Sequence, residues 1–135
     1  DGANDDYAEF TLELEIMAFE DDAYIDEDVL SSFTFDIVRT STGATVADET
    51  SAEVTASLDS SADLEGDFYY VADGDTEDFT LVVTYDPVDA TDARDGSFRL
   101  VLNTIDFAAS EGGSTTTYTA TPASDYRTGS AQLVN

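Results

Sequence analysis

Residues Asp78 to Phe107 read DFTLVVTYDP, then VDATDARDG, then SFRLVLNTIDF. In the first part Phe79, Leu81, Val83 and Tyr85 alternate with Thr80, Val82 and Thr84, the period of two that belongs to a strand with one buried face. Asp86-Pro87 stops that run, and Arg94-Asp95-Gly96 supplies turn chemistry before the chain resumes. Phe98, Leu100 and Leu102 then alternate with Arg99, Val101 and Asn103, and the alternation blurs at Ile105 and Phe107. The expectation is an antiparallel pair, strand against strand, on which the other strands pack.

Working outward, the same period recurs along the chain. Upstream, YAEFTLELEIMAF (Tyr7 to Phe19) is the longest uninterrupted strand pattern: Phe10, Leu12, Leu14 and Ile16 share one face, and Thr11, Glu13 and Glu15 the other. Its parity slips at Ile16-Met17, after which Met17 and Phe19 carry the apolar side, as at a β-bulge or a change of sheet. Thirteen residues span roughly 43 Å at strand rise, about twice an ordinary sandwich strand. FTFDIVR (Phe33 to Arg39) alternates cleanly, turns at Ser41-Thr42-Gly43 and returns through Ala44-Thr45-Val46, a hairpin by its turn residues. Ala52, Val54, Ala56 and Leu58 mark another strand, Asp67 to Val71 a short aromatic one, Thr115 to Ala120 a Thr/Tyr one, and Ala131 to Val134 a last apolar one. Glu20 to Asp28, with Ala23-Tyr24-Ile25 as an apolar anchor, reads as a loop, as does Asp59 to Gly66. No stretch has a useful helical period. Eight or nine short antiparallel strands predict an all-β fold, a single β-sandwich of Ig-like or jelly-roll type. The expected division is a flexible acidic lead over 1–6, the long strand over 7–19 and the sandwich over 20–135.

Composition narrows the chemistry. The 135 residues include 31 Asp plus Glu against four Arg and no Lys, a formal charge of −27. Nucleic acids and anionic lipids bind through Lys and Arg, so neither is an expected partner. No apolar run is long enough to insert in a membrane. Acidity of this order confers solubility and suits a salty or cation-rich medium, where repulsion is screened within about 10 Å or less. His, Lys and Cys are absent, which removes Ser-His-Asp and Cys-His catalysis, His or Cys zinc sites, Schiff bases and disulfides. Paired carboxylates could serve a glycosidase, but there is no Trp platform and the aromatics sit at core parity. The expectation is a protein that is not an enzyme. Beginning at Asp1, the chain reads as a processed exported protein or an excised domain.

Two features remain as candidate sites. Asp73, Asp75 and Glu77 are spaced i, i+2, i+4, as at the start of a calcium loop, and Asp21, Asp22, Asp26 and Asp28 are positioned to converge with them at one end of a sandwich. In so acidic a chain such clusters also arise without function. The second feature is the long strand. If a sheet lacks one strand, Phe10, Leu12, Leu14 and Ile16 of a neighbouring subunit can fill the groove by β-augmentation. The alternative keeps that strand at home.

FEDDAYI (Phe19 to Ile25), ADLEGDFYYVADGDTEDFTLVVTYDP (Ala62 to Pro87), SFRLVLNTIDF and TYTATPASDYRT (Thr117 to Thr128) together resemble a domain of large secreted wall or surface proteins of ultra-small, uncultivated bacteria. That resemblance implies export and an extracellular structural role, and it supplies no functional residues. The expected function is therefore a non-catalytic subunit of a cell-surface filament, a homo-oligomer or homopolymer assembled by strand exchange. The alternative is a calcium-stabilised adhesin or carbohydrate-binding surface domain. Calcium is the one cofactor considered.

Overall fold

The computed structural model describes residues 7–87, 96–121 and 123–133. The lead over 1–6 and the turn residues Arg94 and Asp95 lie outside them. The fold is an all-β sandwich with eleven strands among the described residues: β1 (Ala8–Met17), β2 (Ala23–Asp26), β3 (Phe33–Arg39), β4 (Thr45–Asp48), β5 (Val54–Ser60), β6 (Asp63–Glu65), β7 (Phe68–Val71), β8 (Thr76–Tyr85), β9 (Gly96–Ala108), β10 (Thr115–Thr119) and β11 (Ala131–Leu133). A single helical turn, α1 (Val29–Ser32), precedes β3, with Asp28 accepting from the Leu30 amide at its N-terminus. Three strands in the order β1-β8-β5 form one layer, and eight form the other, with the path β4-β3-β9-β2-β7-β6 and with β10 and β11 also on β9. All the ladders are antiparallel.

The two decisive stretches are strands as expected, but they do not pair with each other. β8 is the centre of the small layer and β9 the spine of the large one. They meet face to face across the core, where the rings of Tyr85 and Phe98 pack edge-on with centroids 5.5 Å apart. A loop of two to five residues would have fixed them as hairpin neighbours. Residues 86–95 separate them in sequence, too many for such a turn. An apolar face buries as well against a facing sheet as beside a partner strand, so periodicity could not choose between the two. Phe79, Leu81, Val83, Phe98 and Leu100 are all fully buried at that contact surface.

The blurred parity after Leu102 has a structural cause. Thr34 pairs with Thr104 and Phe35 with Leu102, so Asn103 is an extra residue on β9, a bulge. The bulge resets the face so that Ile105 points inward again. With it, β9 runs thirteen residues and serves two sets of neighbours along one side, β3 first and β2 at Ala108.

The slip expected at Ile16-Met17 does not occur. β1 keeps one register on β8 from Ala8 opposite Tyr85 to Met17 opposite Thr76. Ala18, not Met17 or Phe19, continues the inward face: it is 3% exposed, whereas Met17 is 60% and Phe19 76% exposed. The two large apolar residues face solvent because the unbroken alternation leaves them on the outward parity, with Ala18 between them turned inward. Two stretches read as loops also join the sheet: Ala23–Asp26 and Asp63–Glu65 pair with β7 from its two sides. Strands of three or four residues give no periodicity to read, which is why eleven strands exceed the eight or nine expected. The hairpin at Ser41-Thr42-Gly43 is present, with Gly43 at φ +75° and its amide donating to the Arg39 carbonyl at 2.8 Å.

Candidate functional site

β1 is an edge strand. Its ladder partner among the described residues is β8 alone. Phe10 and Leu12 are buried, while Leu14 and Ile16 are half-buried, so the apolar face loosens towards the C-terminal end. β1 then leaves the small layer for β2 in the large one through Ala18–Asp22. Within this link Glu20 adopts φ +77°, the left-handed conformation that disfavours side-chain-bearing residues. The link is tied to the β7–β8 loop: Ala18 donates its amide to the Asp75 carbonyl at 3.1 Å and accepts from Gly74 at 2.8 Å.

At that end the sandwich is open. A groove of about 420 Å³ lies between the last residues of β1 and the strand β10, with Leu14, Ile16, Ile105 and Phe107 among its apolar lining. β10 has no cover: all five residues are exposed, and Tyr118 and Thr116 line the groove. The Tyr118 and Tyr126 hydroxyls share a 2.9 Å hydrogen bond, and their rings meet edge-on at 6.4 Å. That bond, then burial, holds the Tyr126 hydroxyl above the usual tyrosine range. Glu15, Asp21 and Asp22 stand on the β1 side of the groove.

The structure uses the acidic loops for folding. Asp22 accepts from the Asp73 amide at 2.9 Å, so these two loops do meet. Asp26 accepts from the Asp28 amide at 2.9 Å, and Asp28 caps α1 and accepts from the Ser31 hydroxyl. Glu77 accepts from the Ser61 hydroxyl at 2.8 Å. Among the described residues, which include all seven candidate calcium ligands, no three acidic side chains gather to hold a metal ion. On the outer face of the large sheet Tyr24 and Tyr70 pack at 5.1 Å. Burial first, then neighbouring carboxylates including Asp22, push both hydroxyls up.

The sequence reading located the long strand and its apolar face but missed the groove beside β10. A signal was available: from Gly112 to Ser124 no residue is charged, in a chain where acids average nearly one in four. No described helix is long and apolar enough to cross a membrane. Comparison with known proteins finds no match among family models, curated proteins or solved structures.

Proposed function

We propose that this chain is a non-catalytic structural domain of an extracellular surface filament, whose subunits join by exchanging β1. The observation that carries the reading is the attachment of β1: an edge strand whose ladder partner among the described residues is β8 alone, joined to the rest through a link strained at Glu20. A strand with one ladder neighbour and a strained hinge can be exchanged, because the same ten-residue ladder re-forms on the β8 of a second copy. Phe10, Leu12, Leu14 and Ile16 then fill the neighbour's core as they fill their own. The contact is head-to-tail and does not close on itself, so it propagates as a fibre. The absence of His, Lys and Cys and the charge of −27 support a structural role in a salty exterior.

The natural absence of cysteine gives a direct test. Glu13 and Thr80 are cross-strand partners on the outer face of the small layer. Glu13→Cys and Thr80→Cys are made as separate variants, mixed at high concentration in high salt after mild unfolding and refolding, and oxidised. Exchange predicts cross-linked heterodimers, with ladders of higher mass when both changes sit in one chain. Heterodimers no more abundant than random collision gives, with only intrachain bonds in the double variant, would refute exchange.

A further inference from the structure

The charge of this protein is unevenly divided. Residues 1–111 carry 30 of the 31 acids and three of the four Arg, a net −27, while residues 112–135 carry only Asp125 and Arg127 and are neutral. The fold lays the neutral segment along one flank. β10 and β11 both pair with the same side of β9, and between them the Tyr126 carbonyl accepts from Leu102 at 2.8 Å and the Thr128 amide donates to Leu100 at 3.0 Å. Among the described residues the other edge strands, apart from the three-residue β11 on this same flank, carry acids: Glu9, Glu13 and Glu15 on β1, Asp48 on β4, Asp59 on β5, and Asp63 and Glu65 on β6. Acidic side chains on an edge are the usual guard against strand-to-strand association. β10, Thr-Thr-Thr-Tyr-Thr, has none, is exposed on both faces, and among the described residues has a ladder partner on one side only.

We infer that the free edge of β10 is a self-association surface, on which β10 of a second copy pairs antiparallel about a twofold axis and joins two large sheets into one. A second copy is the occupant because of charge. Two bodies of −27 repel wherever their acidic surfaces approach, and this flank is where strands can meet without stacking carboxylates. The pairing is isologous, with Thr117 at the axis. It places the groove-facing Tyr118 and Thr116 of each copy beside those of the other, over the apolar floor at Phe107, so that Tyr118, now 44% exposed, loses water contact. The acids near the groove, Glu15, Asp21 and Asp22, belong to β1 and its hinge on the opposite wall. The inference does not depend on β1 exchange. A filament built by β1 would gain from it a lateral contact.

The test compares the full chain with a Thr117→Glu/Thr119→Glu variant, which puts two carboxylates on the exposed outer face of the edge. Sedimentation equilibrium is run at about 0.01 M and about 1 M salt, where the screening length falls from roughly 30 to 3 Å. Matched circular dichroism melts establish that the variant is folded. If the variant is unfolded, Thr117→Lys/Thr119→Lys takes its place in the same high-salt comparison, where like charges set opposite each other across the twofold axis should still oppose self-pairing. The expected result is dimerisation of the natural chain at high salt, weakened at least tenfold in the variant. Backbone amides of residues 115–119 should gain hydrogen-exchange protection as concentration rises. A natural chain that stays monomeric overturns the inference, as does a variant that associates equally well. Association that survives in the variant and still yields the Glu13→Cys/Thr80→Cys heterodimers assigns the contact to β1 exchange alone. A strand-forming cationic peptide that protects residues 115–119 while a second copy does not also overturns it, by making the occupant a basic partner.

Discussion

Tyr85 and Phe98 join the two layers at the end of the core where β8 stops and β9 begins, and their surroundings show how single residues set stability. The Arg39 guanidinium lies 4.8 Å from the centre of the Phe98 ring, a cation–π contact on its outer side. Gly96 makes room for it: at φ +136°, an added Cβ would press on the Arg39 Nη1 atom. Gly96→Ala is expected to cost about 1–3 kcal/mol in urea unfolding, from backbone strain and a displaced Arg39. Leu81, fully buried between the layers, should cost about 2–5 kcal/mol as Leu81→Ala, the ordinary penalty of a core cavity. The Tyr85 hydroxyl is raised above the usual tyrosine range, chiefly by burial and then by Glu53, with Arg39 opposing. A raised folded value means that the unfolded chain ionises first. The stability from a neutral Tyr85 is therefore complete below about pH 10 and is lost as pH climbs from there through the folded value. Tyr85→Phe, which keeps the ring contact, should flatten the alkaline limb of a stability-against-pH curve. An unchanged limb would place the effect in the other tyrosines.

At the scale of elements, β1 and β9 behave differently for physical reasons. β9 has neighbours on both sides, and its bulge at Asn103 lets one strand bridge two groups of partners; the Asn103 carbonyl is itself satisfied by the Ala120 amide at 2.8 Å. β1 has one ladder neighbour among the described residues, and its link to β2 stores strain at Glu20. Replacing Glu20 with Gly removes the side chain that disfavours φ +77°. We expect Glu20→Gly to raise the unfolding free energy of the monomer by up to about 1 kcal/mol and to slow β1 exchange, read as slower heterodimer formation in the cysteine-mixing experiment. Faster exchange in this variant would show that the hinge holds β1 at home by rigidity, not that it drives β1 out. The sheets are also tied beyond apolar contact: Tyr69 donates its hydroxyl to the Leu58 carbonyl at 3.3 Å and packs edge-on against Phe79 at 5.7 Å.

For the whole molecule, electrostatics sets the conditions of folding and assembly. With −27 on 135 residues, self-repulsion opposes the compact state and is relieved by any mobile ion. The melting temperature should rise by several degrees between about 0.01 M and 1 M monovalent salt, since about 1 kcal/mol corresponds to roughly 4 °C in a domain of this size. Because the described acids form no cluster for a metal, calcium at matched ionic strength should stabilise about as much as magnesium, and chelator should leave the melt unchanged. A loss of many degrees on chelation would restore the calcium-dependent adhesin reading. Assemblies should loosen as salt is removed, which light scattering can follow.

The strands of seven residues or more were legible in the sequence because a half-buried strand must alternate: Phe79 to Tyr85, Phe98 to Leu102 and Phe33 to Ile37 show their inward faces by period alone. The excess of carboxylates, the missing His, Cys and Lys, and the hairpin at Gly43 were equally plain. What tertiary structure decided was partnership. A period of two says that a face is buried, not whether a strand beside it or a sheet opposite buries it, so β8 and β9 were read as neighbours when they oppose each other. Partnership also decided Met17 and Phe19, which stay on the outward face because β1 keeps one register on β8, and the short strands Ala23–Asp26 and Asp63–Glu65, which pairing alone makes strands. The neutral run after Glu111 was in the sequence, but only the fold, by laying β10 along the open flank of β9, made it an edge.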